Sequence, residues 1–248
     1  MKNKILLVII ILLVVIYCVS FPKKETFNLP EEQDIKIKVL LKDNNIITLS
    51  LNEYLIGVLA GEMPASFDIE ALKAQAIASR SYVMSKIKDN NNYDVTTTTN
   101  DQVYLSNEEM KEKWGNDYEK YYEKINEAVN ETNNLVMKNN DEIIRAYYFA
   151  ISNGYTEESS EVFGNSSNYL TSVDSSWDES VKNFEVTTKY SKEDFCSALN
   201  INYNNIIISN ININKTNHVD NLKVNNIIFT GLEMRKKLNL RSTDFKIE

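Results

Sequence analysis

The sequence predicts a mixed helix-and-strand chain carried behind one N-terminal membrane-spanning helix. Three observations lead there: an apolar run at the start, two strand pairs around Asn/Asp turns, and four helical segments with readable caps or stripes. The run Ile5–Ile16 continues through Tyr17, Cys18 and Val19 to Phe21, behind Lys2 and Lys4. A helix rises about 1.5 Å per residue, so Ile5–Phe21 just spans a hydrocarbon core of about 30 Å. Residues 1–21 are therefore read as a transmembrane anchor. A cleaved signal peptide is the rival reading, although Cys18-Val19-Ser20 makes a poor cleavage site. Charges on both sides leave the orientation open by the positive-inside rule; a short N-terminal side followed by one long domain favours the domain outside. Residues 22–34, polar with two prolines, read as a tether.

From residue 35 the elements follow in order. Ile35–Leu41 and Asn45–Leu49 flank Lys42-Asp43-Asn44, a hairpin pattern. Ser50 offers an N-cap for a helix from Leu51 that Pro64 stops. Asp68 caps a second helix, Ile69 to about Lys88, rich in good helix formers. Asp89–Asn92 and Thr96–Asn100 read as loop and edge. Asp117–Leu135 is amphipathic, with Tyr118, Tyr121, Tyr122, Ile125, Ala128, Val129 and Thr132 in i, i+3, i+4 rhythm; that stripe reads as core. Leu135–Lys138 and Ile143–Ala150 flank Asn139-Asn140-Asp141, a second hairpin. Ile206–Ile208, Ile211–Ile213 and Val224–Phe229 read as strands. Thr230 and Glu233 form a capping-box pattern opening a last helix to about Leu240.

Composition removes several function classes. Net charge is −8 with no basic block, and nucleic-acid binding needs clustered Lys and Arg to neutralise phosphates. One of the two cysteines lies in the anchor and the other is Cys196, so no disulfide can staple the domain. His218 is the one histidine, far from Cys196 in sequence, and reads as a surface residue. No cluster has metal-ligand spacing, so neither metal nor cofactor is expected.

Chemistry concentrates at Glu62. Leu55, Val58 and Leu59 stand seven, four and three residues before it, so all share its helix face, while Glu53 points to solvent. A carboxyl extending an apolar stripe loses hydration and has its pKa raised, which makes it a proton donor. Gly57 and Gly61 are read as leaving an open strip where a ligand comes close. The bland alternative makes Glu62 a helix-end carboxylate paired with Arg80 or Lys73.

Glu53–Pro64 (EYLIGVLAGEMP) followed by Ala71–Tyr82 (ALKAQAIASRSY) resembles the signature of the stage II sporulation protein D family, which contains peptidoglycan lytic transglycosylases and amidase-enhancer domains. Ser152–Glu157, Tyr169–Val173 with Trp177-Asp178, and Gly231–Arg235 with Leu240–Phe245 fit the same family. The resemblance runs from about residue 35 to the end. It implies an α+β fold, one catalytic domain over 35–248, and two lobes with a substrate cleft. It also implies that Glu62 is the catalytic acid and that Arg80 is needed for function, orienting Glu62 or binding the muramyl lactate. Lys73 and Gln75 are then expected on the acetamido groups, and Ser152, Asn153 and Thr156 on sugar hydroxyls. Ala150-Ile151 departs from the family pattern, and the His and Cys that some members use for zinc near there are missing.

The implied reaction is cleavage between N-acetylmuramic acid and N-acetylglucosamine, leaving a 1,6-anhydro end, during engulfment in endospore formation. Expected partners are glycan strands, the membrane, a peptidoglycan amidase and other engulfment proteins. Two alternatives stand beside it: a glycan-binding enhancer of an amidase without catalysis, and a structural member of the engulfment machinery.

Overall fold

The computed structural model describes residues 35–87, 92–202 and 205–248. The expected anchor (1–21) and tether (22–34) lie outside the described residues. Among the described residues no helix is long and apolar enough to cross a membrane. Helices and strands are mixed as an α+β fold requires, and the chain divides into two compact units that meet in sequence at Tyr148 and Phe149.

The first unit begins with β1 (Lys36–Leu40) and β2 (Ile46–Ser50), antiparallel with Lys36 opposite Ser50 and Leu40 opposite Ile46. Alternation along β1 buries Ile37 and Val39, the period-2 consequence of pleating. A short β3 (Val95–Thr96) adds to the other side of β1 in parallel. Ser50 ends β2 and caps α1 (Leu51–Glu62): its hydroxyl accepts from the Glu53 N–H while the Glu53 carboxylate accepts from the Ser50 N–H. That reciprocal capping box accounts for Glu53 at this position.

α1 is buried continuously from Tyr54 to Ala60. A helix apolar on all sides sits inside a core, so the single apolar stripe read from the wheel understates its burial. α2 (Ile69–Met84), capped by Asp68 and shorter than expected, packs against it. α3 (Asn107–Trp114) is absent from the sequence reading because it buries only Met110 and so has no stripe to detect. A 3-10 turn then leads into α4 (Tyr118–Glu131), whose Ile125, Ala128 and Val129 enter the core as the stripe predicts. β4 (Lys138–Asn139) and β5 (Glu142–Ile143) close the second hairpin through Asn140 and Asp141, both at positive φ, the geometry of a primed turn. The strand expected over Ile143–Ala150 ends at Ile143.

The second unit opens with α5 (Ser159–Phe163), a 3-10 turn over Ser176–Ser180, and α6 (Lys192–Leu199). An antiparallel sheet follows in the order β6 (Ile208–Ile213), β7 (Val219–Val224), β8 (Ile227–Thr230), then α7 (Gly231–Lys237) with the expected Thr230–Glu233 capping box. The apolar run Val224–Phe229 is two strands, not one, because a tight turn at Asn225-Asn226 divides it. Leu199, Val219, Leu222, Val224, Phe229, Met234 and Leu238 form this unit's own core.

Candidate active site

Glu62 is the last residue of α1, and Met63 beyond it is already extended. A helix C-terminus carries partial negative charge, which disfavours a carboxylate. Burial acts the same way and is the largest influence on Glu62. The Val103 N–H and the Tyr148 hydroxyl, as hydrogen-bond donors, pull in the opposite direction, and the net pKa stays above the ordinary glutamate value. The Val103 N–H donates to Oε1 at 2.6 Å. With Oε1 so occupied, Oε2 is the oxygen that can carry the acid proton.

The two glycines explain how Val103 reaches Glu62, and they correct the expectation of an open strip. A Cβ on Gly61 would lie 2.5 Å from the Val103 carbonyl oxygen, and one on Gly57 would lie 2.2 Å from the Tyr104 ring. The chain's own segment 103–105 fills the strip, and Leu105 N–H donates to the Gly57 carbonyl at 3.1 Å. Glycine is needed here for close approach, and the approaching group is backbone rather than ligand.

Segment 103–105 is anchored in turn by Asp101. Its carboxylate accepts from Thr96 N–H at 2.8 Å and from the Tyr82 hydroxyl at 3.0 Å, and pairs with Lys86. Burial pushes the Asp101 pKa up, but Lys86, Thr96 and Tyr82 outweigh it and hold it below the usual value. Around segment 101–105, Glu62 is raised and Asp101 lowered, and a pair pushed apart assigns roles: Glu62 can hold a proton, and Asp101 stays an anion that ties down a loop.

Behind Glu62 runs a polar network that the sequence reading missed. Tyr148 is one of the groups that hold the Glu62 pKa down against burial. Gln102 Nε2 donates to the Tyr148 oxygen at 2.9 Å, and the Tyr54 hydroxyl donates to Gln102 Oε1 at 3.0 Å. Burial pushes Tyr148 up to about 12 and Tyr54 higher still, so both phenols keep their protons. Gln102 is fully buried. In sequence it sits in an unpatterned loop with no periodicity to mark it.

α2 separates its candidates by face. Lys73 and Arg80, seven residues apart, share one face, while Gln75 lies about 200° around from Lys73 at about 100° per residue. Gln75 Nε2 donates to Ser79 Oγ at 3.1 Å, and the Ser79 hydroxyl faces the Tyr148 oxygen at 3.4 Å. Lys73 pairs with Glu70 at 2.7 Å and Glu131 at 2.6 Å, which raises its pKa through those two carboxylates. Arg80 requires a correction. It is 0% exposed, so it presents no surface to a lactate. Its guanidinium donates to Thr132 Oγ1, Leu135 O and Val129 O at 3.3, 3.4 and 3.1 Å. Those are groups at and beyond the end of α4, where helical carbonyls lack partners of their own. Neither Arg80 nor Lys73 is among the groups that set the Glu62 pKa.

The remaining candidates belong to the second unit and hydrogen-bond within it, with Asn153 Oδ1 left buried without a partner. Buried Ser152 bonds Ser175 Oγ at 2.6 Å and Asp178 at 2.8 Å. Asn153 Nδ2 donates to Thr216 O at 2.6 Å and Asp244 at 2.7 Å. Thr156 Oγ1 donates to Thr171 O at 3.0 Å and accepts from Val173 N–H. His218 is not a free surface residue: Nδ1 lies 2.7 Å from Thr243 Oγ1 and Nε2 3.3 Å from Glu157. Among the described residues no group of three or more His, Cys, Asp or Glu is placed to hold a metal ion.

Comparison with known proteins bears on these residues directly. The family profile described as Stage II sporulation protein matches residues 42–138, which takes in Glu62, Gly57, Gly61, Arg80, Gln102 and Val103. Stage II sporulation protein D of Bacillus subtilis (strain 168) is 34% identical over 212 residues, 82% of this chain and 62% of that protein. Its namesake from Bacillus amyloliquefaciens is 32% identical over 225 residues, 87% of this chain and 65% of that one. The Amidase enhancer of Bacillus subtilis (strain 168) is 38% identical over 114 residues, 46% of this chain and 14% of the enhancer. The chain thus spans a little under two thirds of the two sporulation proteins. With the family profile covering the helix that ends in Glu62 and both sporulation proteins aligned over most of the chain, this protein belongs to the stage II sporulation protein D family.

Proposed function

We propose that this chain is a peptidoglycan lytic transglycosylase with Glu62 as its single acid and base. One observation carries the reading: a half-buried carboxyl at a helix end, kept above the ordinary glutamate range by burial while the Val103 N–H fixes its orientation. Glycosidases of the two-carboxylate kind protonate the leaving oxygen with one group and activate water or attack carbon with the other. A single carboxyl serves if the nucleophile is part of the substrate. Glu62 Oε2 gives its proton to the oxygen joining N-acetylmuramic acid to N-acetylglucosamine as the C1–O bond breaks. The resulting carboxylate takes the proton of the muramic 6-hydroxyl as O6 closes on C1. Glu62 ends protonated, the products are a free 4-hydroxyl and a 1,6-anhydro end, and no water is consumed.

The wider setting belongs to the same proposal. Residues 1–21 hold the enzyme in the cell membrane with residues 35–248 on the extracytoplasmic side, where it acts in engulfment beside a peptidoglycan amidase. The test is mass spectrometry of purified glycan strands digested with the full-length protein. Anhydro-muramic ends are expected, and reducing ends alone would overturn the reading. The likeness to an amidase enhancer supports a second reading, in which the chain binds glycan without cutting it. In that case Glu62→Gln would leave stimulation of an amidase intact.

A further inference from the structure

The last turn of α1 is short of donors, and the cause lies in its sequence. The final four carbonyls of a helix, here those of Leu59 to Glu62, depend on the chain beyond it or on other groups for a partner. Leu59 O receives the Met63 N–H at 3.1 Å. Continued by one residue, that pattern would give Ala60 O the N–H of residue 64, which is Pro64 and has none. Proline also drives the residue before it out of the helical region, and Met63 is extended at φ −131° and ψ 141°. α1 has no basic residue of its own in its last turn. The donor comes from α3, where the ammonium of exposed Lys113 reaches Ala60 O at 2.8 Å. On the far side of Pro64, the Lys124 ammonium of α4 donates to Phe67 O, and Phe67 N–H turns back to Pro64 O at 3.0 Å.

We propose that Lys113 is a positioning residue for Glu62, holding the last turn of α1 from outside the helix, and that Lys124 holds the segment after Pro64 in the same way. The inference deepens the proposed function and rests on it only for the meaning of Glu62. Lys113 is not among the groups that set the Glu62 pKa, so its hold runs through the backbone. Gly61, between Ala60 and Glu62, has no side chain to anchor the turn, and the Val103 N–H fixes only the carboxyl. An ammonium on a C-terminal carbonyl also offsets the negative end of the helix dipole, where Glu62 must become an anion once its proton is given.

The test uses full-length protein in detergent and reads hydrogen exchange residue by residue. In Lys113→Met the Met63 N–H, which closes the last turn, exchanges about fivefold faster, the factor that corresponds to loss of one ordinary hydrogen bond. The interior of α1 exchanges as in the wild type, and Lys113→Arg, which keeps a charged donor, restores the slow rate. In Lys124→Met the faster exchange falls on the Phe67 N–H instead. Glycan cleavage by Lys113→Met loses about tenfold in kcat with KM unchanged, because the acid is misplaced while substrate contacts remain. Its melting temperature barely moves, as at other exposed positions. Unchanged exchange at Met63 in Lys113→Met overturns the proposal, and so does faster exchange with kcat intact. If the wild type produces no anhydro ends, the enzymatic reading fails, but the exchange rates still decide whether Lys113 holds the turn that carries Glu62.

Discussion

Gly61→Ala separates two pictures of the site by the sign of its effect. If the glycine strip of α1 were open, alanine would stabilise the helix by up to about 1 kcal/mol, because glycine has the poorer helix propensity. The structure predicts the reverse. The new Cβ falls 2.5 Å from the Val103 carbonyl oxygen and 2.9 Å from its carbon, against an ordinary contact of 3.4 Å or more. Relief needs a shift of about 0.9 Å in a backbone segment held on one side by Asp101 and on the other by the Leu105–Gly57 bond. Forcing one methyl into packed surroundings costs about 1–3 kcal/mol, so the net effect is loss of stability. The same shift withdraws Val103 N–H from Glu62 Oε1. Misplacement of a reacting group by about 1 Å can cost on the order of a hundredfold in rate, so cleavage falls far more than the folded fraction. The assays are denaturant unfolding and release of anhydro ends at a temperature where the variant remains folded. A variant as stable as wild type or more so, with wild-type activity, would refute the packing argument and restore an open strip.

Four further outcomes follow from the same geometry. Glu62→Gln abolishes cleavage; because the Glu62 pKa is raised, the ionised form weighs against folding above its ordinary value of 4.5, so this variant gains melting temperature over wild type as pH rises and loses the advantage in acid. Asp101→Asn behaves oppositely: its lowered pKa contributes stability above the ordinary 3.8, so the loss seen at neutral pH shrinks as pH falls through the folded-state value. Arg80→Ala loses on the order of 3 kcal/mol or more, from a cavity and orphaned carbonyls at the end of α4, and Arg80→Lys recovers only part; a normal melting temperature with abolished cleavage would instead make Arg80 a substrate contact. Cleavage survives dialysis against EDTA, since the proton of Glu62 activates the leaving group; activity lost and then regained on adding zinc would reopen His218 and Cys196 as ligands.

What a sequence can determine is what acts over a few residues. The Ser50–Glu53 and Thr230–Glu233 capping boxes, the Asp68 cap and the stop at Pro64 need no distant partner, so α1, α7 and the start of α2 were legible. The turns at Asp43-Asn44 and Asn140-Asp141 were legible because those residues tolerate positive φ. Glu62 also stood out, since its burial follows from its own helix face. The tertiary structure decided what lies across space. Charged α3 has no stripe to announce it, and whether Gly57 and Gly61 face ligand or backbone depends on a segment 40 residues away. Arg80 was expected at the site from the family resemblance, and a cation about two turns along from Lys73 carries no sign of whether it meets substrate or the end of a helix. Val103 reaches Glu62, and Gln102 reaches Tyr148, only when a loop and a chain beyond β5 are brought to the helices. Hydrogen bonds are short-ranged and directional, and the order of residues along a chain holds no record of which donor will face which acceptor.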